Sequence, residues 1–263
     1  MTAAEALRLA KERLGAAGVD TPHVDSELLV AHVLGVTRSQ LHVEGEREVP
    51  DGLDELVERR ARREPLAYVL GEWGFRHLIL KTDARALVPR PETEIVVERC
   101  LALLAGEPAP RVLDLGTGSG AIALAIADEH PGARVTAVDS SPDALALARE
   151  NSETLDLDID LHEAGLEAVE EGWDLVVSNP PYVAASEWDS LQPEIRDWEP
   201  RAALVGEGLH EEIARRAHTL RLVLEVGDDQ AETVAESLES LGYSSVAITF
   251  DLTDRERVVE GSR

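Results

Sequence analysis

The spacing of apolar residues changes twice along the chain, and each change marks a different kind of structure. Over the first 65 residues apolar positions recur three and four apart, the period of helices with one buried side. Thr2 is placed to cap a helix from Ala3 to about Gly15, with Leu7, Leu9, Ala10 and Leu14 mostly on one side. Thr21-Pro22 supplies an N-cap and a first-turn proline for a second helix to about Leu34, ended by Gly35. Thr37 starts a short third helix. Asp51 to Arg63 forms another, with Leu53, Leu56 and Val57 inward and Arg59, Arg60, Arg62 and Arg63 outward on a solvated or partner-docking face.

From Pro65 to Lys81 the pattern shortens into strands broken at Gly71 and Gly74, a hairpin between two domains. Val88-Pro89-Arg90-Pro91-Glu92-Thr93-Glu94 then opens a helix through Ile95, Val96, Val97, Cys100 and Leu103. After Pro110 strands and helices alternate. Strands are expected at Arg111–Leu115, Arg134–Asp139, Ile159–His162, Trp173–Ser178, Leu222–Val226, Ser245–Thr249 and Arg257–Val259. Helices are expected at Ala121–Glu129, Pro142–Asn151, Leu209–Leu220 and Asp228–Leu241. Such alternation predicts an α/β fold, a parallel sheet covered on both faces. The last two strands are separated only by Asp251–Asp254, which forces a hairpin and reverses the final strand. The expected organisation is a helical domain over 1–65, a linking hairpin over 66–85 and an α/β domain over 86–263.

Composition narrows the class. The 263 residues carry a net charge of −27, unevenly spread: residues 1–85 hold 12 basic and 15 acidic side chains, the remainder 13 and 37. An acidic surface of that size repels phosphate, so direct binding to nucleic acid is disfavoured. It suits a basic protein partner, or a salt-rich cytoplasm, since Lys11 and Lys81 are the only lysines. No apolar run has the length of a membrane span, and the charged N-terminus is not a signal peptide, so a cytoplasmic protein is expected. Cys100, the only cysteine, rules out an internal disulfide and a cysteine-based metal cluster. No metal site is expected.

The candidate chemistry sits at two strand ends, where open α/β sheets bind ligands. Asn179-Pro180-Pro181-Tyr182 follows the apolar run Leu175-Val176-Val177 and stops it, because proline has no N–H and restricts the residue before it. A side-chain amide, carbonyls that no helix takes up and an aromatic ring suit a planar –NH2 group, whose hydrogens need acceptors. A proline-rich turn reads the same four residues equally well.

The second strand end is Asp114-Leu115-Gly116-Thr117-Gly118-Ser119-Gly120, leading into a helix. Glycines there let a ligand approach the backbone at a helix N-terminus. Asp139 ends the next strand and is placed for ribose hydroxyls, with Ser140 or Ser141 left to cap the following helix. Asp114 can hold the loop or a cationic part of the ligand. A dinucleotide and S-adenosylmethionine both remain candidates. A hydride-transfer enzyme needs an acid beside the loop, and His130, His162, His210 and His218 read as surface residues.

Together these segments resemble the class I S-adenosylmethionine-dependent methyltransferases, and more narrowly the HemK/PrmC family. The likeness rests on Pro65–Glu72 leading to Phe75, Val88–Glu94, Asp114–Gly120 and Val177–Val183. It continues through Glu199-Pro200, Ala203-Leu204, Gly208-Leu209, Leu224-Glu225-Val226-Gly227 with Gln230, and Arg255–Val259. Two segments depart from it. The Gly-Gly turn the family places before its fifth strand is replaced by Thr219-Leu220-Arg221, and the acid after the third strand is matched only by Glu163.

The resemblance implies a Rossmann-like, seven-stranded fold with an antiparallel last strand and a helical N-terminal domain that docks the substrate protein. It implies S-adenosylmethionine held by Asp114, Gly116, Thr117, Gly118, Ser119, Gly120, Asp139, Glu163 and Asn179, with S-adenosylhomocysteine as product. The implied reaction methylates the side-chain amide (N5) of the glutamine in the Gly-Gly-Gln loop of class I peptide chain release factors. Asn179 and Pro180 would accept the amide hydrogens, Pro181 would shape the site and Tyr182 would pack on the substrate. The rivals are an adenine or guanine amino-methyltransferase acting on DNA or RNA, and a non-catalytic nucleotide-binding module.

Overall fold

The structure, a computed structural model, describes residues 1–263. In chain order the first elements are α1 (Ala3–Ala16), α2 (Pro22–Leu34), α3 (Arg38–Leu41), α4 (Leu53–Ala61), α5 (Leu66–Leu70), β1 (Glu72–Phe75) and β2 (Leu78–Lys81). There follow α6 (Thr93–Leu103), β3 (Arg111–Leu115), α7 (Ala121–Glu129), β4 (Arg134–Asp139), α8 (Pro142–Leu155), β5 (Asp160–Glu163) and β6 (Leu175–Ser178). The last are α9 (Pro193–Arg196), α10 (Leu209–Arg216), β7 (Arg221–Glu225), α11 (Ala231–Ser240), β8 (Ser244–Phe250) and β9 (Glu256–Ser262).

Two compact units result, one of Met1–Glu72 with Gln192–Trp198, the other of Trp73–Leu191 with Glu199–Arg263. In the helical unit Thr2 and Glu5 exchange side-chain-to-backbone bonds in a capping box that starts α1. Thr21 precedes α2 but does not cap it, since its hydroxyl donates to Asp25 at 2.7 Å. Gly35 stops α2 at φ 64°, a left-handed geometry that suits glycine. The stretch Leu66–Leu70, expected as a strand, is a helical turn instead. Its five residues are too few to show a period that separates the two forms.

The arginine cluster of α4 is not a solvated face. Arg60, 5% exposed, bonds Asp25 at 2.7 Å and Glu194 at 2.8 Å. Arg63 forks onto both oxygens of Glu194 at 2.6 and 2.7 Å. Arg59 pairs with Glu64, and Arg62 alone of the four stays exposed. The partner Glu194 lies far off in sequence, so these arginines carry no local sign of their burial.

The second unit is built on a seven-stranded sheet in the order β5-β4-β3-β6-β7-β9-β8. All neighbours from β5 to β7 are parallel, and β9 is antiparallel to both β7 and β8. The reversed last strand follows from the tight Asp251–Arg255 loop, where Asp251 accepts the Thr253 and Arg255 N–H groups at 2.8 and 3.2 Å. Alternation along the strands splits the core in two. Val112, Leu175, Val177 and Val223 pack on α6 and α7, while Leu113, Val176, Leu222 and Leu224 face α10 and α11.

Several helix ends differ from expectation: α4 is trimmed to Leu53–Ala61, α11 starts at Ala231 rather than Asp228, and two C-termini shift by a full turn. α8 runs on to Leu155, and Asn151 is buried inside it, bonding the Ser119 carbonyl at 2.9 Å and the Lys81 N–H at 2.7 Å. α10 stops at Arg216, because the next residues pair with Trp173. The Trp173 N–H donates to the His218 carbonyl at 2.8 Å and its carbonyl accepts the Leu220 N–H at 3.1 Å. Thr219 closes the short turn by bonding its hydroxyl to the Arg221 carbonyl at 2.8 Å.

Candidate active site

A cavity of about 400 Å3 opens at the carboxyl ends of β3, β4 and β6. The glycine loop forms one wall. Gly116, Gly118 and Gly120 all have positive φ (75°, 56° and 86°), which a side chain would strain. The Gly116 and Thr117 N–H groups donate to the Val138 carbonyl at 2.8 and 2.9 Å, fixing the loop to the next strand. Ser119 is buried and held through its carbonyl by Asn151.

Asp114 lies beneath the loop rather than on the cavity wall. One oxygen accepts the Thr117 hydroxyl at 2.7 Å and the Ala123 N–H at 3.2 Å, while Oδ1 is buried without a partner. Full burial pushes its carboxyl up to about 7, against the pull of those two bonds and with a further rise from Asp139. Asp139 faces the cavity and spans its floor, accepting the Gly118 and Ser141 N–H groups, each at 2.9 Å. Ser141 caps α8 through Ala144, which leaves Asp139 for the cavity. Glu163 does not join them. The chain turns at Ala164, whose N–H goes to the Asp139 carbonyl at 3.2 Å, leaving Glu163 exposed and Ala164, Gly165 and Leu166 on the wall.

The opposite wall is the tetrapeptide. Asn179, Pro180 and Pro181 line the cavity. Tyr182 does not; its ring stacks on His210 at 6.4 Å and lies over Gly227, where an added Cβ would stand 2.9 Å from the ring. Nothing in the sequence tells which way a ring turns after two prolines. His210, expected at the surface, is buried there, and its Nε2 donates to the Glu225 carbonyl at 2.8 Å. Burial holds its imidazole below the ordinary value, against the opposing bond to the Glu225 carbonyl.

Several residues at the cavity escape sequence reasoning. Val88–Glu92 does not open a helix; α6 starts at Thr93, and Val88, Pro89 and Arg90 line the cavity instead. Arg90 bonds the buried Glu199 at 2.6 Å, joining two segments 109 residues apart. Glu225 ends β7 two residues after Val223, the register partner of Val177, and so shares the sheet face of those two residues. It is wholly buried with both carboxylate oxygens unpaired, and burial raises its carboxyl to about 7.

A fold of this topology with a glycine loop and an acid at adjacent strand ends defines a class I S-adenosylmethionine-dependent methyltransferase. Solved structures share the fold. The hMettl16 catalytic domain in complex with a MAT2A 3′UTR hairpin matches 79% of this chain and 82% of its own at TM-score 0.58 and 18% identity. The T. thermophilus 16S rRNA N2 G1207 methyltransferase in complex with AdoMet and guanosine matches 73% of this chain and 49% of its own at TM-score 0.53 and 17% identity. Family models match too: the PrmC N-terminal domain over residues 5–71 and the methyltransferase small domain over 93–195.

Full-length relatives narrow the class. Release factor glutamine methyltransferase of Deinococcus radiodurans is 42% identical, covering 98% of this chain and 97% of its own. That of Caulobacter vibrioides is 38% identical over 99% and 96%, and that of Streptomyces coelicolor 39% over 94% and 93%. The chain belongs to the release factor glutamine methyltransferase family. The cofactor of this class is S-adenosylmethionine, and the residues present fit it. Asp139 offers carboxylate oxygens to ribose hydroxyls and the glycines leave the backbone open, while Asp114 serves from beneath by holding Thr117 and Ala123 of the loop. No helix is long and apolar enough to cross a membrane.

Proposed function

We propose that the protein methylates the side-chain amide nitrogen (N5) of the glutamine in the Gly-Gly-Gln loop of class I peptide chain release factors. The observation that carries this reading is the wall of Asn179, Pro180 and Pro181, which faces the same cavity as Asp139 and the glycine loop. S-adenosylmethionine, when bound, supplies an electrophilic methyl group on sulfur.

The chain's task is to make a poor nucleophile react. An amide nitrogen shares its lone pair with the carbonyl, so the pair must be turned out of conjugation. The Asn179 side-chain oxygen and the Pro180 carbonyl accept the two amide hydrogens and so orient that lone pair into the cavity. Prolines at 180 and 181 suit this, since neither brings an N–H that would compete for those acceptors. Holding two reactants in line supplies several kcal/mol of the barrier, and the same oxygens stabilise the positive charge that builds on nitrogen. The proton leaves after transfer, so no base is needed in the transition state.

A purine amino group has the same planar –NH2 and would fit the same acceptors. The excess of acidic residues, 37 against 13 basic beyond residue 85, favours a protein loop over a nucleic acid. The helical unit serves as the docking site for the release factor, which places the enzyme in the cytoplasm with the translation machinery. Incubation with S-adenosylmethionine tritiated at the methyl group is expected to label a release factor, and Gln→Ala in its Gly-Gly-Gln loop to remove the label. Label on RNA or DNA with the release factor blank would overturn the proposal.

A further inference from the structure

Asn179 and Pro180 must be held in place by something other than their own backbone. The strand before them ends at Ser178, whose hydroxyl donates to the Leu115 carbonyl at 2.8 Å. The two prolines that follow have no N–H, so the turn cannot close on itself as ordinary turns do. Its far end is pinned from elsewhere. The Val183 N–H donates to the Leu204 carbonyl at 2.9 Å, and the Tyr182 carbonyl accepts the Gln230 Nε2–H at 3.1 Å.

Gln230 is in an unusual position to do this. It occupies the N-cap of α11, where Ser, Thr, Asp or Asn is preferred, yet its side chain makes no capping bond. Instead Oε1 accepts the Gly227 N–H at 3.0 Å while Nε2 donates to Tyr182. Both ends of one amide are used, one on each segment. The ring of Tyr182 fits against Gly227 only because that residue has no Cβ. On the other side of the turn a Cβ at Gly206 would stand 2.7 Å from the Pro181 carbonyl.

We infer that Gln230 is a positioning residue for the methyl transfer. Its amide ties the Tyr182 carbonyl to the β7–α11 loop and thereby sets where the Asn179 and Pro180 acceptors stand. This rests on the function proposed above for the turnover readout, but not for the anchoring itself. The helix start gives up its cap so that a donor can reach across to the tetrapeptide.

The test uses three full-length chains, wild type, Gln230→Ala and Gln230→Glu. In the ligand-free protein, hydrogen–deuterium exchange of peptides spanning residues 179–185 is expected to quicken in Gln230→Ala, with exchange in β3 and β4 unchanged. Unchanged exchange at 179–185 overturns the anchoring whatever the substrate proves to be. With the release factor, kcat is expected to fall on the order of 10- to 100-fold in Gln230→Ala, because small misplacement of reacting groups has effects of that size. The dissociation constant for S-adenosylmethionine should stay within about threefold.

Gln230→Glu separates positioning from folding. A carboxylate can still accept from Gly227 but cannot donate to the Tyr182 carbonyl; a protonated carboxyl can do both. Its kcat, taken as a ratio to wild type, is expected to rise as pH falls from 8 to 5.5. The ratio cancels titration of the groups around Tyr182, namely Glu225 of β7, Arg257 of β9, His210 of α10, and Glu92 and Arg90 before α6. A ratio independent of pH, with Gln230→Ala as active as wild type, overturns the role. A wild-type enzyme that labels no release factor counts against the proposed function instead, and leaves the exchange result to decide the anchoring.

Discussion

Asp139 accepts the N–H of Gly118 at 2.9 Å with one carboxylate oxygen and the N–H of Ser141 at 2.9 Å with the other. One side chain thus braces the glycine loop against the start of α8 while its remaining lone pairs face the cavity. Loop shape and ligand binding therefore depend on the same carboxylate.

Asp139→Ala should weaken S-adenosylmethionine binding about 10- to 100-fold, the loss of one or two hydrogen bonds to a charged acceptor. Asp139→Asn keeps one acceptor and should fall between. Titration calorimetry reads both, and normal affinity in Asp139→Ala would remove this residue from the cofactor site.

Asn179→Ala is expected to separate binding from chemistry. It takes away an acceptor that matters most as charge develops on nitrogen, so kcat should drop on the order of 100-fold or more. Affinity for S-adenosylmethionine should hold. Single-turnover labelling of a release factor beside calorimetry gives the answer, and unaltered turnover would sink the role.

Glu225 makes stability depend on pH. Its folded-state carboxyl sits at about 7, above the ordinary 4.5, because burial disfavours the charge. The folded protein therefore holds a proton at Glu225 that the unfolded chain releases, so this group's contribution to stability is greatest at low pH and is lost as pH rises from about 4.5 to 7. Glu225→Gln has no such loss. Relative to wild type it should gain up to about 3 kcal/mol between pH 5 and pH 8, measured by urea unfolding. A constant difference between the two pH values would mean that Glu225 does not titrate in the folded protein.

Arg60→Ala leaves Asp25 without its buried partner and removes one of the two arginines on Glu194. Breaking a buried pair by deleting one member typically costs about 3–5 kcal/mol. The exposed Arg62→Ala should lie within about 0.5 kcal/mol of wild type. Denaturant unfolding of the two variants side by side tests the contrast, and equal stabilities would refute the account of the cluster.

The α/β unit was legible because its signals are local. Leu175-Val176-Val177 is a buried strand by composition, Asn179-Pro180 ends it by sterics, and Asp251–Asp254 is too short for anything but a hairpin. The glycine loop and Asp139 meet at one cavity, since spacing along one strand–helix–strand unit decides where they lie. Glu163 and Tyr182 do not line the cavity, because the direction of a side chain after a strand end depends on what packs there. For Glu163 that is the bond from Ala164 to Asp139, and for Tyr182 it is His210 and Gly227. The burial of Arg60 and His210 was hidden for a similar reason: the groups that cover them come from distant parts of the chain.

By itself the sequence determined the alternation of strands and helices from Arg111 onward, the reversal of the last strand, and the two strand ends where chemistry could gather. Those follow from period, proline and glycine sterics, and the length of connections, all of which act within a few residues. Only the tertiary structure decided that Arg90 meets Glu199, that Glu225 stands buried and unpaired behind the tetrapeptide, and that Gln230 leaves its helix cap to hold Tyr182. Each is a meeting between segments separated by tens of residues, and hydrogen bonds carry no mark in the sequence of the partner that completes them.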